Sequence, residues 1–167
     1  WAAVRVLANA GVEVVIPPDQ GCCGALPMHV GDSARARELG ERNLRAFPAD
    51  VDAIVTTAAG CGSGLHDYPL LFKGTPDEEA ALALAHRVVD VSVFLARLGV
   101  SSWPALPAPM TVAYQDACHL RHAQGITSEP RALLAGIPNV TLVELEDTDC
   151  CGSAGMYNLD QPEIAHA

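Results

Sequence analysis

The tripeptide Cys-Cys-Gly occurs twice in this chain, at Cys22, Cys23 and Gly24 and again at Cys150, Cys151 and Gly152. The displacement of 128 positions that lays one copy on the other also lays Val12, Val14 and Val15 on Val140, Leu142 and Val143, and Asp32 on Asp160. An apolar run, a thiol doublet and an acidic residue thus recur in the same order at the same spacing. The chain is therefore expected to be a duplication, and any fold proposed for one half must serve the other. The same displacement carries Cys118 ahead of Trp1 and Cys61 to position 189, past the last residue. Each half would then own a lone cysteine, the doublet and a further cysteine, with one cysteine of each set lost. The chain opens on Trp1 in what reads as a helix already under way, and closes on "NLDQPEIAHA" where another helix starts. Both ends lead to the expectation of a piece of a longer protein.

Hydrophobic periodicity predicts the elements. Residues 2–10 read as a helix stopped at Gly11, a left-handed cap candidate. "VEVVIP" follows as a β-branched strand. "SARARELGERNLRAF" is helical, with Ala36, Gly40, Leu44 and Phe47 near one face. "VDAIVTTA" reads as a strand closing on Gly60, Cys61 and Gly62, and "TPDE" as a capping box with Thr75 at the N-cap, Pro76 at N1 and Glu78 at N3. A brief extended piece and a helix from about Ser92 to Leu98 come next, ended by Gly99. "SSWPALPAPM" holds three prolines in ten residues, which neither a helix nor a central strand tolerates. Beyond it "TVAYQDA", "EPRALLAGI" and "VTLVEL" read as strand, helix and strand. Strands alternating with helices mean βαβ units and a mainly parallel sheet. The expected fold class is α/β, built from two duplicated βα half-domains: residues 1–103, a Pro-rich linker 104–110, and residues 111–167. All six cysteines follow strand candidates, at the carboxyl ends where such sheets place their sites.

Half of the residues are hydrophobic and 18% are charged, as in a globular chain. Twenty acidic against ten basic residues give a formal charge of −10. That balance argues against nucleic acid or an anionic membrane as the main ligand, since both need clustered Lys and Arg. No apolar run approaches the ~18 residues of a membrane-spanning helix, and no basic-then-apolar leader is expected from these residues. A cytoplasmic protein that reaches the membrane only through partners is the expectation.

Four of the six cysteines sit in adjacent doublets, whereas disulfide scaffolds spread theirs. In a reducing compartment such clustering points to metal or redox chemistry, against the plain alternative of buried thiols acting as small hydrophobes. Four thiolates per half suit an iron–sulfur cluster or a four-coordinate zinc. Zinc sites usually draw on Cys-x-x-Cys knuckles, and none occurs here. Adjacent cysteines in a turn splay their side chains and grip a large object more easily than one small ion. Gly24 and Gly152, lacking Cβ, would let backbone approach the inorganic sulfurs and donate to them. A zinc-stabilised interaction module remains the alternative of a different class.

"PPDQGCCGALPMHVGD", "AAGCGSGLHDY", "DACHLRHAQGI" and "CCGSAGMYNLDQPEIA" resemble the cysteine-rich CCG domains of the heterodisulfide reductase-related family, and within it the iron–sulfur subunits of glycolate-oxidising dehydrogenases. Those domains carry a cysteine, then Cys-Cys-Gly about thirty residues on, then a further Cys or Cys-x-x-Cys. Here Cys118 stands 32 positions before Cys150, and Cys61 stands 38 after Cys23. The resemblance implies metal ligation by Cys22, Cys23, Cys61, Cys118, Cys150 and Cys151, and one or two clusters. It also implies an electron-transfer subunit of an oxidoreductase, this stretch alone not being catalytic. A flavin-bearing partner subunit would oxidise glycolate or a related 2-hydroxy acid, and electrons would pass toward a quinone-type acceptor. Alternatives within the family are a lactate-oxidising system and a domain whose cysteines act directly on a disulfide. One departure matters: the position three before Cys61 is Ala58, so the fifth thiolate of a non-cubane cluster is absent and a four-thiolate 4Fe–4S centre is easier to support.

Beside the cysteines, His119 could hydrogen-bond a sulfur, ligate or move a proton, as could His122. Asp116 could orient His119 or cap the next turn. His29 and His66 read as surface residues, and Met28 and Met156 as packing over the site. "GCGSG" lacks the Lys-Ser/Thr ending of a phosphate loop.

Overall fold

The computed structural model describes residues 1–100, 103–145 and 155–165. Helix α1 (Ala2–Asn9) ends at Gly11, whose φ of 84° is the left-handed turn that costs glycine no Cβ clash. After an irregular run come α2 (Ala25–His29) and α3 (Ser33–Ala46), the latter capped by Asp32, whose carboxylate accepts the Arg35 N–H at 3.0 Å. The chain continues through β1 (Ile54–Thr56), α4 (Ala59–His66), α5 (Tyr68–Leu71), α6 (Glu78–Arg87), β2 (Val88–Asp90) and α7 (Val91–Arg97). Strand β3 (Met110–Tyr114), a π-helix (His119–Ala123), α8 (Ser128–Ala135) and β4 (Val140–Glu144) follow, then the short helices α9 (Tyr157–Asp160) and α10 (Pro162–Ala165). Among the described residues no helix is long and apolar enough to cross a membrane.

The α/β class holds, and the strands pair in parallel. β1 lies beside β2 from Ile54↔Val88 to Thr56↔Asp90, and β3 beside β4 from Met110↔Val140 to Tyr114↔Glu144. Helices make the crossovers that parallel neighbours require. Ile54 and Val88 join Ala36, Tyr68, Phe72, Ala81 and Leu84 in one buried cluster that also contains Cys23. The apolar face of α3 lies where its spacing predicts, with Ala36 and Gly40 buried and Leu44 and Phe47 packed against the cluster. A Cβ on Gly40 would stand 2.8 Å from the Phe72 ring, so α3 can lie this close to the α5 end only as glycine.

Three local expectations change. "VEVVIP" forms no strand: residues 12–17 belong to neither sheet among the described residues. A strand needs a neighbour, and the 128-position correspondence lays this run on β4, whose neighbour β3 has no counterpart among residues 1–100. The cysteine of the first doublet therefore follows an irregular run and not the carboxyl end of a strand. The strand read at "VDAIVTTA" is shorter than expected and does not close on Gly60, Cys61 and Gly62: β1 ends at Thr56 and these residues lie in α4, which begins at Ala59. The box at Thr75 forms in part: Thr75 Oγ accepts the Asp77 N–H at 3.3 Å, but Glu78 reaches back past Thr75 to Gly74. Thr75 Oγ donates to Phe72 O at 2.7 Å, the Glu78 carboxylate accepts the Gly74 N–H at 2.7 Å, and α6 starts only at Glu78.

In the second half Arg131 of α8 ties the two strands together. Its guanidinium meets both oxygens of the buried Asp116 carboxylate at 2.7 and 3.0 Å and those of Glu144 at 2.8 and 3.1 Å. Asp116, expected to orient His119 or cap a turn, is instead committed to Arg131, with Arg121 at 3.6 Å. The Arg131 contact holds its carboxyl below the usual carboxylate range.

Candidate functional site

The first doublet is held by two residues that lie far from it in sequence. Asn43 faces inward from α3, and its Oδ1 accepts the Gly21 N–H at 2.8 Å while its Nδ2 donates to Cys22 O at 3.0 Å. The same Nδ2 reaches Tyr68 Oη at 3.1 Å, and that hydroxyl donates to Cys23 O at 2.9 Å. Asn43 and Tyr68 are both 1% exposed, and their bonds to each other and to Cys23 O are buried, where an unmade one would be costly, while those to Gly21 and Cys22 are half-buried. Three backbone groups around the doublet are thereby fixed. Sequence reasoning missed both residues. The available signal was a polar Asn43 lying three residues after Gly40, on the face marked as apolar.

The fixed turn points its two thiols differently: Cys22 is exposed and Cys23 buried. Gly24 takes φ 81°, and a Cβ there would stand 3.0 Å from Ala36 O. Its missing side chain thus serves the approach of α3 as well as the turn. The Ala25 N–H and the Cys61 thiol lie near enough to Cys23 to act on its ionisation. Burial pushes the Cys23 thiol up to about 12, the neighbouring Cys61 and Cys22 add in the same direction, and the Ala25 N–H works against them.

Cys61 arrives on α4, third in the helix, where the first helical bond runs from the Gly62 N–H to Ala58 O at 2.9 Å. The N–H groups of residues 59–61 therefore have no intrahelical acceptor. Beside Cys61 the place of a Gly60 Cβ is open, with nothing within 4 Å. On the inner face a Gly64 Cβ would lie 2.7 Å from Ala25 Cβ and 3.7 Å from Cys23 Sγ. Gly64 is what lets the helix bearing Cys61 lie on the helix following the doublet. A Gly64→Val variant is expected to force these helices apart at a cost of about 2 kcal/mol. Oxidative crosslinking of Cys23 to Cys61 in the metal-free protein should fall with it, and an unchanged crosslinking yield would contradict the role given to Gly64.

The second half reaches the same face. Cys118, exposed, stands at the N-cap of the π-helix, and His119 packs its ring 5.5 Å from that of His29 on α2. Gln124, just past the π-helix, donates to Ala59 O at 2.9 Å, at the start of the helix that carries Cys61. Against Gly62 lie two buried acceptors without a hydrogen-bond partner among the described residues, Thr56 Oγ1 and Gln124 Oε1. His29, read as a surface residue, is exposed but belongs to this contact; His66 and His122 are exposed elsewhere on their helices. Met28 packs on the core cluster beside Cys23. Cys150, Cys151 and Gly152 lie outside the described residues.

Among the described residues no three thiol, imidazole or carboxylate groups close to the spacing of a single metal ion. Cys22, Cys23 and Cys61 nonetheless share one neighbourhood, in which Cys22 and Cys61 both disfavour ionisation of Cys23. Three soft donors, the Ala25 N–H beside Cys23 and the open space at Gly60 fit a polynuclear iron–sulfur group, with its several metal atoms, better than one zinc.

The chain spans only part of most of the relatives it matches. It is 43% identical over 168 residues to the probable glycolate oxidase iron–sulfur subunit of Bacillus subtilis, covering 98% of this chain and 38% of that one. It is 38% identical over 168 residues to a fumarate reductase (CoM/CoB) subunit of Methanothermobacter marburgensis, covering 99% and 32%. Lactate utilization protein A of Oceanobacillus iheyensis is 32% identical over 165 residues, with 97% of this chain and 67% of that one covered. No solved structure matches it. The cysteine-rich domain named CCG matches residues 2–66 and 112–167, the two segments that carry the doublets. With most of its length matched and both doublets inside the match, the chain belongs to the CCG cysteine-rich domain family.

Proposed function

We propose that this chain is the cysteine-rich part of an iron–sulfur electron-transfer subunit in a 2-hydroxy-acid dehydrogenase. The observation that carries the reading is the convergence of Cys22, Cys23 and Cys61, two of them exposed and all three within one electrostatic neighbourhood, in a chain whose relatives are named as iron–sulfur subunits. Cys22, Cys23 and Cys61 would hold one 4Fe–4S cluster, and Cys118 with Cys150 and Cys151 would contribute to a second. Such a cluster, when bound, takes up and releases one electron at a time at a potential set by its ligands and their hydrogen bonds. The chain's own part is to fix the doublet through Asn43 and Tyr68, to set the Ala25 N–H beside Cys23, and to keep His119 and His29 at the rim. In the assembled enzyme a flavin-bearing subunit would take two electrons from the 2-hydroxy acid, leaving the 2-oxo acid, and the electrons would leave toward a quinone-type acceptor. Glycolate is the substrate favoured by the Bacillus relative. The Oceanobacillus relative, of whose length the chain covers two thirds, favours lactate as the second reading. An acidic chain of this kind would work in the cytoplasm, at the inner face of the membrane through its partners.

Anaerobic reconstitution of the full-length protein tests this. About four iron and four sulfide per site with a reducible EPR signal are expected, together with loss of that iron in Cys61→Ser. Stoichiometric zinc without iron, or wild-type iron in Cys61→Ser, would overturn it.

A further inference from the structure

Residues 12–17 carry three apolar side chains in succession, Val14, Val15 and Ile16, and yet join no ladder. Among the described residues the run's backbone is held at its ends, by the Val12 N–H on Leu7 O at 3.1 Å and the Gln20 N–H on Pro17 O at 3.4 Å. Opposite it lies β1, paired on one side with β2 and, among the described residues, on no other. Between the two is a groove of about 630 Å³, with residues 12–17 as one wall and residues 53–55 as the other, closed at depth by Leu7, Phe47 and Phe94. Val15 and Ile16 remain 55% and 48% exposed beside it. Continuous apolar runs of this kind are the mark of parallel strands buried on both faces, and open backbone edges recruit a strand.

The duplication tells what belongs there. Residues 12–15 correspond to residues 140–143 of β4, and β4 is paired in parallel, residue for residue, with β3. Each half shows a different pair of the same sheet: β4 beside β3 in the second, β1 beside β2 in the first. If the run 12–16 takes the part of β4, a counterpart of β3 would pair along it, and no described residue of the first half does so. The groove lies along that run.

We propose that the groove is a strand-acceptor site, filled in the longer polypeptide by an extended segment of the β3 type that runs parallel to β1. It would make a four-stranded parallel sheet in the order run 12–16, inserted strand, β1, β2. The proposed occupant is intramolecular, because the relatives are longer than this chain and the 128-position correspondence puts no residue of this chain in the place of β3. Its backbone would hydrogen-bond to both walls, and its side chains would alternate between the two faces of the sheet as those of Met110, Thr111, Val112, Ala113 and Tyr114 do. On the iron–sulfur reading its carboxyl end would open beside that of β1, where α4 presents Cys61.

Hydrogen–deuterium exchange on the full-length protein decides it. Alternate amides within residues 13–16, those that face the inserted strand, and the amides of residues 54–56 that face away from β2 are expected to exchange at least about a hundredfold more slowly than free peptide, as ladder amides do. Near-free exchange at every amide of residues 13–16 would overturn the proposal. Protection that disappears on dilution would also overturn it, by assigning the occupant to a second copy of the chain. Iron content of the same sample is a separate number: protection without iron would keep the strand and remove the cluster reading, and iron without protection the reverse.

Discussion

An Asn43→Ala variant is expected to lose about 3 kcal/mol of stability and about 10 °C in thermal midpoint. The side chain is 1% exposed and makes three hydrogen bonds, to the Gly21 N–H, Cys22 O and Tyr68 Oη. Its removal leaves the buried Tyr68 hydroxyl without its donor and the half-buried Gly21 N–H and Cys22 O without their partner, and such orphaned groups cost more than a made bond contributes. Tyr68→Phe keeps the ring packed edge-on against Phe72 and removes only the hydroxyl that donates to Cys23 O. It should cost about 1 kcal/mol. The functional sign is specific: with the doublet's carbonyls released, iodoacetamide should reach Cys23 faster in Asn43→Ala than in a surface variant. A midpoint close to that of wild type, or unchanged Cys23 labelling, would contradict the network.

Cys23 itself is expected to alkylate about a thousandfold more slowly than an ordinary cysteine at pH 8 in the metal-free protein. Only thiolate reacts, and burial with Cys61 and Cys22 nearby pushes this thiol from 9.0 up to about 12. The labelling rate should climb about tenfold per pH unit and keep climbing beyond about pH 10, where an ordinary thiol has levelled off. Stability follows the same shift. A group whose folded pKa is raised contributes its stability below the unfolded value and loses it as pH rises toward the folded value. Cys23 therefore weakens the metal-free fold between about pH 9 and about 12. Tyr68, also pushed up to about 12 by its burial from 10.0, adds to the loss in the upper part of that window. Thermal midpoints that hold level from about pH 8 to about 11, or Cys23 labelling that matches an ordinary thiol at pH 8, would refute this. Ligation by a metal requires this same proton to leave, so a thiol so reluctant to ionise makes the doublet a site that needs strong cationic compensation.

The site is legible in its donors and illegible in its supports. Cysteines are rare enough, and their doubling odd enough, that Cys22, Cys23 and Cys61 stand out without any structure. Asn43 and Tyr68 do not, because their roles rest on hydrogen bonds spanning 21 to 45 positions, and no local pattern reports such a pairing. His29 reads as a mere surface residue for the same reason: its partner His119 lies 90 positions away across the two halves.

What this sequence determined by itself is the duplication, the alternation of strand and helix, the parallel pairing and the chemical character of the thiols. Each is written in periodicity, in residue type or in a repeat, all of which neighbouring residues carry. Only the tertiary structure decided that residues 12–17 stand without a ladder, that Gly64 serves helix contact and not a turn, and that Cys61 rides on a helix to meet Cys23. Strand state depends on a neighbour's backbone, and a glycine's purpose on what would strike its absent Cβ. Both are properties of segments brought together from far along the chain, so they become visible only when the chain is folded.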